Sequence, residues 1–465
     1  MFASTFLQWM LIAATVILVC IYWYFKSSYG FWKQKGIKFV EPSFPYGNVK
    51  DVFHVKKSIS ECYKEYYDSY PEDRYIGLFE LSQPILLVRD PALLKHVFVK
   101  DFQHFQKRAS HIFEEMDPLT LNLLYLSGSK WQSVRSKLTP TFSSGKMKMM
   151  FQLMLEVAEQ LAETMKNAAK SGEMLEFKDI MLSYSMEIIG SCIFGLQFNA
   201  IKDPNSDFRK MEEKRRTEQQ EYFFVKKMVR LHCPSLARFL NLKFMSDDVT
   251  NFFLSSVKNT MEYRVKNNVV RNDFIQLLME LKSKGEFDFD EKDDNCYSPD
   301  GNKFYTSQNS NGTFSYTKAD CYMAAQAFSF LVAGFDTSSS TLSFCLYELA
   351  INPEIQDKLR GTIKSTLQQY DGKITYDAVQ EMSYLNKVLD GNNNFINKFF
   401  SPKVVLHRVL CMRFGLLQVK LGIITLLLNY EFNVCEKTSI PLKLDPKEVL
   451  LSADVWLKIC KIKSE

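Results

Sequence analysis

The chain has 465 residues, and its 58 Lys and Arg against 53 Asp and Glu give a formal net charge of only +5. That small surplus excludes a dedicated nucleic-acid binder, in which basic residues are far more concentrated. An apolar fraction of 46% with only 18 Gly and 14 Pro excludes a mainly disordered or collagen-like protein and allows a large buried core.

The first 25 residues carry no charged side chain, and the stretch from Trp9 to Phe25 is almost wholly apolar. As a helix, it is long enough to cross a hydrocarbon core of about 30 Å. We therefore predict a transmembrane anchor over residues 1–25. A cleaved signal peptide is the alternative, but no basic residue precedes the apolar run and bulky aromatic residues follow it. Lysines occur just downstream of the run and not upstream, which places the rest of the chain in the cytosol.

A basic, proline-containing linker is predicted over residues 26–50, and the main domain over residues 51–465. Pro42 and Pro45 predict a stiff turn that separates the anchor from this domain, because proline fixes φ and removes a hydrogen-bond donor. Two short β-prone runs, at 75–79 and 84–88, predict a strand pair. Asp90 and Pro91 then suit the N-cap and first residue of a helix over 92–100.

Helical periodicity dominates the rest of the chain, so we predict a mainly α protein with a small β-sheet, an α+β fold. Apolar residues recur on one face over 147–166, which predicts an amphipathic helix. The charged run at 210–216 is predicted to lie on a solvated helix face without chemistry. Residues 285–320, rich in Asp, Asn, Ser and Gly, predict a long exposed loop.

Trp131 and Arg135 are four residues apart on a predicted helix, so their side chains lie side by side. Such a pair can bind a carboxylate, with the guanidinium as a forked donor and the indole as a second donor. An ordinary surface cation–π pair is the alternative.

An apolar run over residues 324–351 predicts a helix buried through the centre of the domain. The motif Ala333–Thr337 interrupts this run with small and polar residues. Asp336 beside Thr337 favours a local opening of the hydrogen-bond ladder where something polar is bound. The alternative is a close helix crossing at Gly334, with the hydroxyl bonded back to the preceding turn.

The ten cysteines are scattered singly, without a Cys-x-x-Cys pair. This pattern excludes a disulfide framework and a zinc module, and it fits a reducing compartment. It does not identify any one cysteine as a metal ligand.

Taken in chain order, these features resemble the cytochrome P450 family of haem-thiolate monooxygenases, in particular its arthropod microsomal members. The resemblance covers residues 1–390 and resumes at 412–415. Besides the anchor, the turn and the two motifs above, it rests on the segments 89–91, 99–102, 138–143, 352–354 and 382–385.

The resemblance implies a single large P450-like domain behind the N-terminal helix, with haem as its cofactor. Trp131 and Arg135 would hold a haem propionate. Ala333 and Gly334 would lie at the groove where the cofactor binds.

Asp336 and Thr337 would be the catalytic residues implied by the resemblance, relaying protons to dioxygen. The implied partners are NADPH-cytochrome P450 reductase, a lipophilic small-molecule substrate and membrane lipid. The implied location is the endoplasmic reticulum membrane, with a single N-terminal span and a cytosolic body.

The chain departs from the family after residue 390. The family has a Glu-x-x-Arg pair on the helix after Met382, a proline-rich meander and a Phe-x-x-Gly-x-Arg-x-Cys loop whose thiolate binds iron, and none of these is present. Residues 391–411 match nothing in the family and replace a longer segment. The alignment at 412–415 places Val409 at the ligand position. Cys411 lies two residues later, about 6.6 Å away in an extended chain. Cys411 would bind iron only after a local slide, and His407 is the other candidate ligand.

Two hypotheses follow. The first is a membrane-anchored, haem-dependent monooxygenase that oxidises xenobiotics or endogenous lipids with O2 and electrons from a reductase. The alternative is a non-catalytic chain, either a truncated isoform or the product of an incorrect gene prediction, that cannot ligate haem iron. For the literal sequence we favour the alternative.

Overall fold

The computed structural model describes residues 2–54, 56–106, 112–220, 226, 229–231, 233–284, 305–309, 312–397, 412–443 and 453–462. Only the backbone is described at 2–4, 219–220, 307–309, 312–314 and 392–397. The chain forms two compact units, one made of residues up to Phe105 and the other of most described residues from Gln106 onward.

The first unit contains a strand pair, a long N-terminal helix and several short helices. Its strands are antiparallel, with Ile76 opposite Leu87. Its elements are α1 (Phe2–Tyr29), α2 (Phe31–Gln34), α3 (Lys50–Phe53), α4 (Ile59–Ser69), β1 (Tyr75–Glu80), β2 (Gln83–Val88), α5 (Pro91–Lys95), a π-helical turn (His96–Lys100) and a 3-10 turn (Phe102–His104). Asp90 caps α5 by accepting from the Ala92 N–H at 2.7 Å, which confirms the predicted cap.

The second unit is mostly helical. Its helices are α6 (Gly128–Leu138), α7 (Ser144–Thr164), α8 (Lys166–Ser171), α9 (Phe177–Ile189), α10 (Asp207–Gln220), α11 (Pro234–Phe239), α12 (Asp247–Asn267), α13 (Phe274–Ser283), α14 (Lys318–Ile351), α15 (Pro353–Gln368), α16 (Tyr376–Glu381), α17 (Ser383–Asn397) and α18 (Met412–Asn429). Shorter turns are 3-10 helices at Pro118–Thr120 and Thr139–Phe142 and a π-helix at Gly190–Phe194. Its strands are β3 (Met174–Glu176), β4 (Tyr305–Asn309), β5 (Gly312–Tyr316), β6 (Tyr430–Asn433) and β7 (Trp456–Lys461), of which β3, β7 and β6 form one antiparallel sheet in that order.

The mainly α fold with small sheets confirms the predicted fold class. The predicted strand pair and the amphipathic helix after Ser143 are also present. The central helix α14 begins at Lys318, six residues before its predicted start, because Thr317 and Asp320 form a capping box there. It ends before Pro353, which lacks the N–H needed to continue the ladder.

Four helices, α7, α9, α14 and α18, form the core of the second unit. Gly422 of α18 allows this packing: a β-carbon there would lie 3.0 Å from Leu342 of α14 and 3.1 Å from Tyr184 of α9. The Tyr184 hydroxyl, fully buried, donates to the Gln418 carbonyl at 2.9 Å. Three helices are therefore held together at α18 by close backbone approach and one buried hydrogen bond.

The prediction of a featureless loop over residues 285–320 is wrong for part of this range. Strands β4 and β5 pair as an antiparallel hairpin, with Tyr305 opposite Tyr316. Both tyrosines are buried, and the Tyr305 hydroxyl donates to Asp247 of α12 at 2.7 Å. The polar composition hid the hairpin because its burial depends on two aromatic side chains that pack on α12. Residues 285–304 lie outside the described part of the chain.

Helix α1 extends four residues beyond the predicted span, and its end packs on the first unit. Every side chain from 5 to 24 is exposed, whereas Phe25 is buried. The Phe25 ring contacts Phe44 with centroids 5.3 Å apart, and Tyr29 contacts Phe79 at 5.2 Å. The predicted linker thus begins with residues that pack on β1.

Two helices in the described part of the chain are long and apolar enough to cross a membrane. One candidate span is Thr5–Gln34, none of which is buried within its most apolar window. The other is Met412–Asn429, which is α18 and is mostly buried in the core. Burial makes α18 a core helix and leaves the N-terminal helix as the candidate anchor.

Gly47 is required where the turn at residues 43–47 meets β1. It has φ +66°, and a β-carbon there would lie 2.4 Å from the Phe79 carbonyl oxygen. Gly36 has nearly the same φ, +65°, but no atom within 4 Å of the same point. An alanine at Gly36 would therefore meet only the strain of the left-handed backbone, whereas an alanine at Gly47 would meet that strain and the clash with Phe79.

We expect Gly36→Ala to lower the free energy of unfolding by about 1–2 kcal/mol, the cost of a left-handed alanine. Gly47→Ala should cost about 1–3 kcal/mol more, because the Phe79 backbone must move. Denaturant unfolding of the full chain in detergent, followed by tryptophan fluorescence, measures both. Equal losses for the two variants would contradict the close approach at Gly47.

Candidate active site on the central helix

The motif Ala333–Thr337 lies in the middle of α14, which is an uninterrupted α-helix over its 34 residues. Gly334 faces α9, where a β-carbon would lie 3.1 Å from Ile189 Cδ1. The Thr337 hydroxyl is exposed and donates to the Ala333 carbonyl at 2.7 Å. The Asp336 side chain is half-buried. Glycine thus permits the helix crossing and keeps the two polar residues together on one turn.

Gln418 of α18 is a residue at this site that sequence reasoning missed. It is fully buried, and its side-chain Nε2 donates to the Gly334 carbonyl at 3.2 Å. The position gives no local signal, because a glutamine in an apolar helix is noticed only once its partner on another helix is known.

Trp131 and Arg135 lie on α6, with the guanidinium carbon 5.2 Å from the centre of the indole ring. Both side chains are half-buried. The predicted side-by-side pair is therefore present, in the geometry of a cation–π contact. The structure places the candidate residues in two groups on different helices, this pair on α6 and the Ala333–Thr337 turn on α14.

The prediction that the charged run at 210–216 lies on a solvated helix face is wrong for two of its residues. Glu212 and Arg215 of α10 are only 2% and 6% exposed. Arg215 Nε donates to Glu212 Oε2 at 2.8 Å, and a second nitrogen of the same guanidinium donates to the other oxygen. Arg215 also interacts electrostatically with Tyr125 and with Asp336. The charge run was misleading because two of its members point inward and neutralise each other.

A second buried ion pair connects the segment before α6 with the helical residues 229–231, which come before α11. Asp117 and Arg230 are almost fully buried, with 2.8 Å between Oδ2 and Nη1. Asp117 also accepts from the Phe244 N–H at 2.7 Å, and Arg230 lies over the Phe244 ring at 3.9 Å. Nothing in the local sequence indicates this pair, since its members are more than a hundred residues apart.

The described cysteines do not supply an iron ligand at the α14 motif. Cys345 is on the same helix but eight residues beyond Thr337, about 12 Å along the axis, and burial raises its pKa to about 12. Cys192 lies in the π-helix after α9, where burial also raises its pKa. The described residues contain no cluster of three or more His, Cys, Asp or Glu side chains that could hold a metal ion. Val409, Cys411 and His407 lie outside the described residues.

Comparison with known proteins gives a consistent set of relatives. The family model described as Cytochrome P450 matches residues 41–390. The chain is 30% identical to Cytochrome P450 6a2 of Drosophila melanogaster, covering 98% of this chain and 99% of the relative. It is 30% identical to Cytochrome P450 6A1 of Musca domestica, covering 96% of each. It is 34% identical to Probable cytochrome P450 6a20 of Drosophila melanogaster, covering 82% of this chain and 72% of the relative.

The alignment with the first of these relatives leaves many of its positions without a residue of this chain. It runs over 528 positions, whereas 98% of 465 residues is about 456, so about 72 positions face a gap in this chain. The family match also stops at residue 390, where the resemblance in the sequence is lost.

The Glu212–Arg215 pair can be tested by breaking it on one side and on both sides. We expect Arg215→Met to lower the free energy of unfolding by about 3–5 kcal/mol, because it leaves the Glu212 carboxylate buried without its partner. Adding Glu212→Leu should recover most of that loss, since the buried charge is then gone. Thermal or denaturant unfolding in detergent measures both effects.

Lys214→Met is the matched control for this test. Lys214 is on the same helix and pairs with Asp248 on the surface, where both side chains are about half exposed. Its loss should cost no more than about 1 kcal/mol. A double variant as unstable as Arg215→Met alone would contradict the mutual neutralisation of Glu212 and Arg215.

Proposed function

Because the chain belongs to the cytochrome P450 family, we propose that it is built on the plan of a haem-dependent monooxygenase of lipophilic small molecules. On this plan, O2 is the oxidant and NADPH-cytochrome P450 reductase supplies the electrons. The substrates would be xenobiotics or endogenous lipids.

The turn Ala333–Thr337 is the observation that supports this proposal. It sets a carboxylate and a hydroxyl on successive residues of a helix whose other residues are buried or half-buried. Proton transfer needs positioned groups in a pocket that is otherwise dry and apolar. Asp336 and Thr337 would be those groups, and Ala333 and Gly334 would form the helix surface beside them.

The Trp131–Arg135 pair supports the same plan from α6. A guanidinium offers a planar fork of donors to a carboxylate, and the indole N–H adds one more. Arg135 and Trp131 would therefore hold a haem propionate.

The residues at the iron-ligand position do not fit haem. The sequence alignment at 412–415 assigns Val409 to the position of the thiolate ligand, and its hydrocarbon side chain has no lone pair to offer. The Glu-x-x-Arg pair after Met382 and the proline-rich meander are absent from the sequence as well. Burial and distance along α14 remove Cys345 as a substitute.

For the chain as written, we therefore propose a non-catalytic member of the family that cannot ligate haem iron through a thiolate. The specific observation in its favour is the ligand position, at Val409. This second proposal concerns the literal sequence, whereas the monooxygenase plan concerns the fold and the residues that the chain retains.

We also propose that the N-terminal helix anchors the protein in the endoplasmic reticulum membrane, with its body in the cytosol. Helix α1 exposes every side chain from 5 to 24, which in water would be a large apolar surface. Lys26 lies 5.3 Å from the Trp23 ring at the end of that surface, an arrangement typical of the membrane–water interface.

A carbon monoxide difference spectrum decides between the two proposals on haem. We expect reduced microsomes that contain the chain as written to show no red-shifted, thiolate-type Soret band, because no thiolate stands at the ligand position. Microsomes without the chain are the control. A thiolate band would overturn the non-catalytic proposal, and its loss in Cys411→Ser would identify Cys411 as the ligand.

Sequencing the transcript across codons 385–415 complements this measurement. A longer continuous exon there would show that residues 391–411 come from an incorrect gene prediction. The monooxygenase plan would then apply to the corrected chain.

Alkaline carbonate extraction tests the anchor. The full chain should stay in the membrane pellet, because alkaline carbonate releases peripheral proteins but not proteins held by a membrane-spanning helix. Deleting residues 2–21 should release a larger fraction, while Phe25 and Tyr29 keep their contacts with the first unit. Equal retention of both chains, or release of the full chain, would contradict the anchor.

A further inference from the structure

Helices α14 and α18 cross at Ser338 of α14 and at Gly415 and Gln418 of α18. The Gly334 carbonyl, one turn before Ser338, also lies at this crossing, whereas a side chain on Gly334 would point at Ile189 of α9. A β-carbon on Gly415 would lie 3.4 Å from the Ser338 hydroxyl oxygen, and Gln418 Nε2 donates to the Gly334 carbonyl at 3.2 Å. The crossing thus brings the Gly334 carbonyl, the Ser338 hydroxyl and the Gln418 side chain together beside Gly415, which has no side chain.

The two polar side chains at this crossing are buried. Gln418 is fully buried and Ser338 is 4% exposed. Ile189 of α9 covers Gly334, and Tyr184 of α9 holds the Gln418 backbone carbonyl. The Gln418 side chain is therefore fixed at both its backbone and its Nε2 atom, and its direction is set.

The other polar atom of the Gln418 side chain is its oxygen, Oε1, which does not take part in the bond to Gly334. This oxygen is buried and has no hydrogen-bond partner among the residues that the structure describes. A buried amide oxygen without a partner is costly, and native proteins pair nearly all such atoms with protein or with ordered water. The nearby Ser338 hydroxyl can both donate and accept.

We propose that Gln418 and Ser338 bind a buried water molecule between α14 and α18. The water donates one hydrogen bond to Gln418 Oε1 and shares a second with the Ser338 hydroxyl, which meets the two-partner minimum for a buried water. Gly415 leaves free the space beside the Ser338 hydroxyl that a side chain would otherwise fill. The site lies within one helical turn of Asp336 and Thr337 along α14.

The test uses the full chain, which contains the three helices α9, α14 and α18 that form the site. A map of the protein at high resolution should show ordered density between Gln418 and Ser338. Gln418→Met and Ser338→Ala should each lower the melting temperature, and the double variant should lower it by less than the sum, because both residues act through the same water. Density that is absent, together with additive shifts, would overturn the proposal.

Gln356→Met is the matched control. Gln356 is also a fully buried glutamine, but its Oε1 accepts from the Phe432 N–H at 3.0 Å and its Nε2 donates to the Leu349 carbonyl at 3.0 Å. Gln356→Met should lower the melting temperature by the same amount whether or not Ser338→Ala is also present. None of these readouts requires haem, so the water site and the proposed function can fail independently.

Discussion

The close approach of α18 to α9 and α14 is the constraint on which the second unit depends. It is possible because Gly422 presents no side chain to Leu342 and Tyr184. Interiors are packed too densely to absorb even one extra carbon without movement. That approach brings Gln418 to the Gly334 carbonyl and sets which face of the central helix meets α18.

The same packing explains how the family core persists without the family's ligand loop. The contacts of α18 with α9 and α14 are made by residues retained in this chain, at Gly415, Gln418 and Gly422. About 72 positions of the alignment with a full-length relative face gaps in this chain, and α18, which begins at Met412, packs as a core helix. The contacts that hold α18 in the core are thus contacts of its own residues.

Buried charge is the other organising feature. Glu212 with Arg215, and Asp117 with Arg230, are almost fully removed from water. Such groups persist in an interior only as pairs, since an isolated buried ion costs several kcal/mol. Because Arg215 interacts electrostatically with Asp336, the surroundings of the central motif are more polar than an apolar helix suggests.

The sequence by itself determined the features that depend on near neighbours. The apolar N-terminal run, the strand pair, the Asp90 cap, the buried central helix and the Trp131–Arg135 pair all follow from patterns within about thirty residues, because periodicity and capping are local properties. Tertiary structure alone decided the role of Gln418, the inward-facing Glu212–Arg215 pair, the aromatic hairpin of β4 and β5, and the docking of Phe25 and Tyr29 on the first unit. Each of these depends on contacts whose partner is set by packing rather than by chain order. A polar or charged residue has the same local pattern whether its partner is water or another buried side chain, so only the packed chain distinguishes the two.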